Sequence, residues 1–104
     1  MEEMIMVYIT NPSKDRAEEL AKHLLNRRLV ACINIFECGS MYWASGFVET
    51  DGEFILIAKT VQENFSAVRK IAEDTSDYQV PCVIKIPVTG NQQYVQWLGS
   101  EIKI

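Results

Sequence analysis

The stretch of sequence that decides the fold is residues 31–60, which read ACINIFECGSMYWASGFVETDGEFILIAKT. Two apolar runs rich in β-branched residues, 30–36 and 54–60, are each typical of a strand. Ala44-Ser45-Gly46 between them predicts a turn. The two strands and the turn together predict one ribbon of about a dozen residues per strand, with Asp51-Gly52 as a bulge.

A turn at residues 50–53 is the alternative. It would pair residues 46–49 with residues 54–57, and the long strand over residues 30–43 would then need a different partner. The single ribbon is favoured because its two strands are then of comparable length.

The residues before the ribbon predict a strand and a helix. Residues 4–10 are almost wholly apolar, which favours a strand buried on both faces. Asn11 or Ser13 then supplies the N-cap of a helix, and Arg27-Arg28 falls at its end, where cations complement the helix dipole. The apolar residues of this helix recur at helical spacing: Ala17, Leu20, Ala21, Leu24 and Leu25.

The residues after the ribbon complete the pattern. A second helix is predicted over residues 62–74, a last core strand over residues 82–88 and a short C-terminal helix over residues 92–102. The order is typical of the α+β class, as a ferredoxin-like βαββαβ sandwich with a long central β-hairpin. A length of 104 residues suits one domain, residues 1–104.

In this fold both helices of the βαββαβ unit lie on one face of the sheet. The strands nevertheless carry apolar residues on both faces, as in Ile55-Leu56-Ile57. We expect no further element of the chain to be large enough to cover the second face. Another copy of the chain is the expected cover, which predicts a homo-oligomer.

Composition argues against several classes of partner. The net charge is −4 and the Lys and Arg residues are scattered, whereas nucleic-acid binding needs them clustered. An RNA-recognition domain with the same strand order would need a basic face. No apolar run approaches the roughly 20 residues that span a bilayer, and the acidic residues 1–4 differ from a signal peptide. We expect a cytoplasmic protein without nucleic acid or membrane partners.

The three cysteines, Cys32, Cys38 and Cys82, form no CxxC motif. On one extended strand the first two would lie about 20 Å apart, too far for a disulfide or a shared metal. Free thiols in a reducing compartment are the favoured interpretation.

Residues that could carry chemistry are few. His23 falls on the polar face of the first helix and is expected to be a solvated surface histidine. Glu49, Asp51 and Glu53 could bind a hard cation, but they lack an EF-hand pattern and a solvated turn is favoured.

Aromatic residues near turns are more informative. Tyr42 and Trp43 precede the ribbon tip, Tyr78 precedes the last strand, and Lys59 ends an apolar strand where it needs solvent, a carboxylate or a ligand. Packing in an interface is the favoured role for the aromatic side chains, and a small-molecule pocket is the alternative.

Several motifs match one known family in order and spacing along nearly the whole chain. They are Arg28-Leu29-Val30-Ala31-Cys32-Ile33-Asn34-Ile35, Ser40-Met41-Tyr42-Trp43 with Gly46, Lys59-Thr60, Tyr78-Gln79-Val80-Pro81, and Pro87-Val88 with Tyr94 and Trp97. With these motifs the chain resembles the CutA family of divalent-cation tolerance proteins. The resemblance implies a ferredoxin-like domain related in architecture to PII-type signalling proteins, and a homotrimer held by the ribbon. It also implies tolerance to copper and other divalent cations, and an intersubunit cleft lined by Tyr42, Trp43, Lys59 and Tyr78.

The copper ligands ascribed to some members of that family are not retained. A cysteine at the end of the first strand is Ile9 here, and histidines before the tyrosine of the last loop are Thr75 and Ser76. None of these ligates copper well. The family's second tryptophan after Tyr-Trp is Ala44, and its His-Pro before the tyrosine is Ser76-Asp77. We therefore predict no metal residues and no cofactor, and keep a small ligand, copper or another divalent cation as an open partner.

Two functions follow from these observations. The leading hypothesis is a homotrimeric divalent-cation (copper) tolerance protein with a non-catalytic binding or signalling role. The alternative is an enzyme with an intersubunit active site of unknown substrate. Such a site would need Lys59, Tyr78 and a carboxylate such as Glu53 within hydrogen-bond reach of one another.

Overall fold

The computed structural model describes residues 2–103, and its elements confirm the α+β, ferredoxin-like order. They are β1 (Glu2–Asn11), α1 (Lys14–Asn26), β2 (Cys32–Ala44), β3 (Phe47–Thr60), α2 (Phe65–Thr75), β4 (Val83–Gly90) and α3 (Gln92–Glu101). The strands form an antiparallel sheet in the order β2-β3-β1-β4. None of the described helices is both long and apolar enough to cross a membrane.

The ribbon is one hairpin, as predicted. Ala44 pairs with Phe47 across a two-residue turn whose φ angles are both positive, 51° at Ser45 and 84° at Gly46. Positive φ at both positions is typical of a type I′ turn, whose twist matches that of the flanking strands. Gly39 pairs directly with Gly52 in β3, so the predicted bulge at Asp51-Gly52 is wrong.

The ribbon extends beyond the rest of the sheet. The last pair between β1 and β3 joins Asn11 to Phe54. Residues 38–53, which we call the arm, therefore form a two-stranded extension that no other described strand pairs with. The molecule is accordingly elongated, at 45 × 25 × 21 Å.

Alternation along β1 distinguishes the two faces of the sheet. Ile5, Val7 and Ile9 are buried against α1 and α2 in the main core. Met6 and Tyr8 lie on the opposite face, which we call the far face, and are only half-buried. The prediction that this strand is buried on both faces is therefore confirmed on the helix side. On the far face of a single chain its side chains are only partly buried.

Helix α1 begins with the predicted Ser13 cap. The backbone N–H of Arg16 donates to Ser13 Oγ at 3.2 Å, which satisfies a donor at the helix N-terminus. Asn11, the other predicted cap, is the last residue of β1, and its side-chain amide donates to two backbone carbonyls. The predicted apolar stripe is buried except for Leu25, which is 39% exposed because it lies at the edge of the stripe.

Helix α2 begins later than predicted, because Gln62–Asn64 form a 3₁₀ turn ahead of it. Val68 and Ala72 on its inward side are buried in the main core. Asn64 is also buried, and its Nδ2 donates to Leu29 O at 2.9 Å and to Lys103 O at 2.8 Å. This one side chain joins the start of α2, the loop after α1 and the C-terminal segment.

The last strand and the last helix differ from their predicted roles. β4 is an edge strand rather than a core strand, and Ile84 on it is 49% exposed. Helix α3 lies against the far face, where Val95 and Leu98 pack with Met4. The expectation that no other element of the chain covers this face is therefore wrong at one end of the sheet.

The turn provides a test of the ribbon. Gly46→Ala should lower the free energy of unfolding by about 1 kcal/mol, because a residue with a Cβ is strained at positive φ. Nothing lies within 4 Å of the added Cβ, so the effect comes from the backbone alone. Urea denaturation measures it, with Gly39→Ala as the control because Gly39 is equally open but has no positive φ. Equal destabilisation by both changes would contradict the turn assignment.

Candidate functional site

The structure brings three of the four predicted site residues to the far face. Tyr42 and Lys59 belong to the set of ribbon residues that alternates onto this face, and Tyr78 reaches it from the loop before β4. Trp43 follows Tyr42 on the same strand and therefore lies on the opposite face of the arm, where it is 77% exposed. The predicted Tyr42-Trp43 pair is split between two surfaces.

Two tyrosines and two carboxylates meet at one end of the far face, which we call the acidic end. Tyr42 Oη donates to Asp51 Oδ2 at 2.8 Å, and Tyr78 Oη donates to Glu53 Oε2 at 2.7 Å. Glu49 lies two residues before Asp51 and points to the same side of β3. The predicted solvated turn at these carboxylates is wrong, because they lie on a continuous strand.

The acidic end favours neutral phenols. Burial, followed by the hydrogen bond to Glu53 and the charge of that carboxylate, raises the pKa of Tyr78 above its ordinary value of 10.0. The hydrogen bond to Asp51 is the main cause that raises the pKa of Tyr42. Both hydroxyls are therefore hydrogen-bond donors at neutral pH.

Arg16 holds the loop that carries Tyr78. Its guanidinium donates to Asp77 Oδ1 at 2.7 Å, to Thr75 O at 3.3 Å and to Glu19 Oε2 at 2.9 Å. These contacts fasten the loop after α2 to the exposed face of α1. They line a cleft of about 450 Å³ between the two elements.

Lys59 lies at the other end of the far face, which we call the lysine end. Its Nζ is 5.6 Å from the centre of the Tyr94 ring, a cation–π distance. Tyr94 in turn lies 5.6 Å from the ring centre of Trp97 on α3. Burial raises the pKa of the Tyr94 phenol, while Lys59 acts to lower it. Lys59 takes part in none of the ion pairs found among residues 2–103.

The two ends are separate within one chain. Lys59 follows Glu53 by six residues of β3, a distance of about 20 Å at roughly 3.3 Å per residue. Glu53 and Tyr78 meet, but Lys59 does not reach them. The constellation that the enzyme hypothesis requires does not form from a single chain.

The residues at the positions of the family's ascribed copper ligands have other roles in this structure. Ile9 is buried in the core, Thr75 Oγ1 donates to Ile71 O, and Ser76 Oγ accepts from the backbone N–H of Tyr78. His23 is exposed on α1, as predicted. Across the described part of the chain no three His, Cys, Asp or Glu side chains are grouped to hold a metal ion.

Sequence reasoning placed Glu53 beside Tyr78 only within the enzyme hypothesis, and it missed Asp51 as the partner of Tyr42. Asp51 and Glu53 recur at the two-residue spacing of a strand, a signal that the predicted bulge between them obscured. The role of Tyr94 beside Lys59 had no local signal, because α3 and β3 are far apart in sequence. The same is true of the contact between Arg16 and Asp77.

The chain is similar in sequence and in fold to several known proteins. The family model described as CutA1 divalent ion tolerance protein matches residues 5–101. The divalent-cation tolerance protein CutA of Archaeoglobus fulgidus is 38% identical over 93% of this chain and 96% of its own length. The chloroplastic protein CutA 1 of rice is 38% identical over 95% of this chain, which spans 57% of the rice protein. A solved structure, that of the periplasmic divalent cation tolerance protein CutA from A. fulgidus, superposes with a TM-score of 0.93 at 36% identity, and covers 98% of this chain and 100% of that one.

Tyr78 gives the acidic end a pH signature. Because folding raises the pKa of its phenol, the stabilising contribution is complete below pH 10.0 and is lost as the pH rises above that value towards the folded-state pKa. Tyr78→Phe should lower the free energy of unfolding by about 1 kcal/mol near neutral pH. The difference from the wild type should shrink above pH 10.0.

Urea denaturation over a pH series measures this difference. Tyr42→Phe is the matched control, since it also loses a hydrogen bond to a carboxylate but is exposed, and its effect should be smaller. A pH-independent difference for Tyr78→Phe would contradict the assigned hydrogen bond.

Proposed function

The chain belongs to the CutA1 family of divalent ion tolerance proteins, and from this premise we propose that it works as a homotrimer with a non-catalytic binding or signalling role. Its physiological role is then tolerance to divalent cations, copper among them. The proposal is founded on membership of the family. The trimeric state, the role in copper tolerance and the absence of catalytic turnover are what is proposed.

The arm is the observation that carries the proposal. It extends for seven residues per strand beyond its last contact with β1, about 23 Å, and a two-stranded hairpin of this kind is marginal alone in water. It also presents apolar side chains that are more than half exposed, namely Met41, Trp43, Phe47 and Val48. Apolar surface on an extension of this kind is typical of an association site. Neighbouring copies of the chain are the proposed cover.

The ligand site is proposed to lie in the cleft between subunits, close to the acidic end. Tyr42 and Tyr78 offer aromatic faces there, beside carboxylates that already accept their hydrogen bonds. A small molecule or a divalent cation is the proposed class of ligand. Any such metal site would have to be completed by assembly, since the described residues of one chain form none.

A cytoplasmic location is also proposed. Cys32, Cys38 and Cys82 are all free thiols, which is the usual state in a reducing compartment. The A. fulgidus relative is described as periplasmic. For this chain the free thiols support the cytoplasm instead.

The enzyme hypothesis keeps one supporting observation, the contact of Tyr78 with Glu53. Its third member, Lys59, would have to come from another subunit. Catalysis therefore depends on the same assembly as binding and is the second candidate.

Assembly is tested by light scattering of the purified protein. The expected mass is close to three times the 11.9 kDa of one chain. Trp43→Ser combined with Phe47→Ser should weaken the trimer, because both side chains are exposed on the arm. Leu25→Ser is the control, an exposed leucine on α1 far from the arm. A monomeric wild type, or a trimer indifferent to the arm changes, would contradict the proposal.

Copper binding is tested by equilibrium dialysis of the trimer against Cu²⁺ followed by metal analysis. We expect substoichiometric retention, because the copper-ligand positions of the family are Ile9, Thr75 and Ser76 here. Stoichiometric retention would show that assembly creates a site. Cys38→Ser and Cys82→Ser would then identify whether a thiol is the ligand.

A further inference from the structure

Residues 76–82, which we call the Tyr78 loop, connect α2 to β4 and belong to no helix or strand. Among the described residues, no backbone hydrogen bond outside the helices and strands involves residues 77–81. Val80 within this segment is 84% exposed. The position of the loop therefore depends on the contacts that its side chains make.

Consecutive side chains of the Tyr78 loop reach opposite faces of the sheet. Asp77 Oδ1 accepts a hydrogen bond from Arg16 Nη2 at 2.7 Å on the helix side. Tyr78 Oη donates to Glu53 Oε2 at 2.7 Å on the far face. Because the Cα atoms of adjacent residues are only about 3.8 Å apart, a shift of Asp77 moves Tyr78 with it.

The backbone that joins these two contacts is held at further points. Arg16 Nη2 also donates to the carbonyl oxygen of Thr75 at 3.3 Å. Ser76 Oγ accepts from the backbone N–H of Tyr78 at 3.1 Å, and a serine side chain that bonds the backbone two residues on closes a local turn. Residues 75–78 thus form one short fixed segment that Arg16 binds at two positions.

Asp77 is the stronger of the two carboxylate partners of Arg16. Its hydrogen bond is the main cause that raises the pKa of the guanidinium, followed by its charge, and Glu19 contributes less. Glu19 lies on α1 together with Arg16, so their ion pair orients the guanidinium without reaching the loop. Among the described hydrogen bonds, only those from Arg16 to Asp77 and to the Thr75 carbonyl join α1 to residues 75–82.

We propose that Arg16 is the positioning residue of Tyr78, and that the two side chains form one latch that holds the Tyr78 loop against both faces of the sheet. When Arg16 releases Asp77, the phenol of Tyr78 loses its fixed position beside Glu53. Every contact of the latch lies within a single chain, so the inference does not depend on the proposed homotrimer. For the proposed ligand site, it assigns the geometry of one tyrosine to a residue on the opposite side of the sheet.

The latch should respond to ionic strength. The side chains of Arg16 and Asp77 are 40% and 51% exposed, so salt reaches their ion pair. The screening length of charges falls from about 30 Å in 0.01 M salt to about 3 Å in 1 M salt. Added salt should therefore loosen the loop of the wild type and have little effect on a variant that lacks the ion pair.

Hydrogen exchange of the amide at position 78, measured by NMR, reports how often the loop opens. At low ionic strength Arg16→Gln should lower the protection factor of this amide about fivefold, and Asp77→Asn should do the same. In about 1 M salt the wild type should approach the variants. Arg69→Gln is the matched control, because it removes an ion pair of similar exposure, with Glu73, that does not contact the loop.

A double-mutant cycle separates positioning from independent stabilisation. Tyr78→Phe alone should lower the protection factor at position 78 about fivefold, because it removes the hydrogen bond to Glu53. In the Arg16→Gln background the same change should cost less than about twofold, since the phenol is no longer held beside the carboxylate. Effects that multiply would show that the two contacts act independently, and would overturn the positioning role.

Thiol labelling gives a second measurement, which uses the wild-type protein. Cys82 is half-buried at the end of the Tyr78 loop, and N-ethylmaleimide, an uncharged reagent, should label it faster as the salt concentration rises. Cys32 on β2, at the lysine end, is the internal reference, and peptide mass spectrometry distinguishes the two thiols. A Cys82 rate that rises with salt no more than the Cys32 rate overturns the latch, as does an unchanged protection factor in Arg16→Gln.

Discussion

The register between β2 and β3 runs without a bulge from Cys32 paired with Lys59 to the turn at Ser45-Gly46. Because the side chains of a strand alternate strictly, this register decides which face of the molecule every ribbon residue meets. A slip of β3 by one position would turn Lys59 and the arm carboxylates towards α1 and α2, where Leu56 and Ala58 now fill the core. The separation of core from candidate site thus depends on a backbone ladder.

The sheet is covered unequally on its two faces. The helix side is closed by α1 and α2 around Val7 and Leu24, which are fully buried. The far face is closed at the end where α3 contributes Leu98 and around Ile55, which is fully buried, whereas Phe36 and Ile84 on the same face stay about half exposed. The functional hypotheses arise from this asymmetry, because the open part of the far face carries the tyrosines, the carboxylates and exposed apolar side chains. A small domain has few ways to cover such a surface from within.

Periodicity predicted the elements well, because each lies within a short window of sequence. The Asn-Pro-Ser segment before α1, the apolar spacing of α1 and the turn at Ser45-Gly46 are local signals, and all three are found. The errors concern relations between distant segments. The placement of α3 on the far face and the edge position of β4 depend on packing that no local pattern records. The four residues of the candidate site were predicted to lie together. Because side chains alternate along a strand and β3 is long, they lie on three surfaces: the acidic end, the lysine end and the opposite face of the arm.

The side chain of Asn64 has a consequence for how the molecule opens. Chain ends generally fray, because few contacts hold them. Here the amide of Lys103 donates to Arg28 O at 2.7 Å, while its carbonyl accepts from Asn64. The C-terminal segment is thus held on both sides by residues far from it in sequence, and releasing it would expose buried polar groups of the core. The lysine end of the far face therefore rests on one of the less easily opened parts of the fold. The arm at the other end has its own ladder and, among the described hydrogen bonds, only the one from Tyr78 to Glu53 to join it to the rest of the molecule.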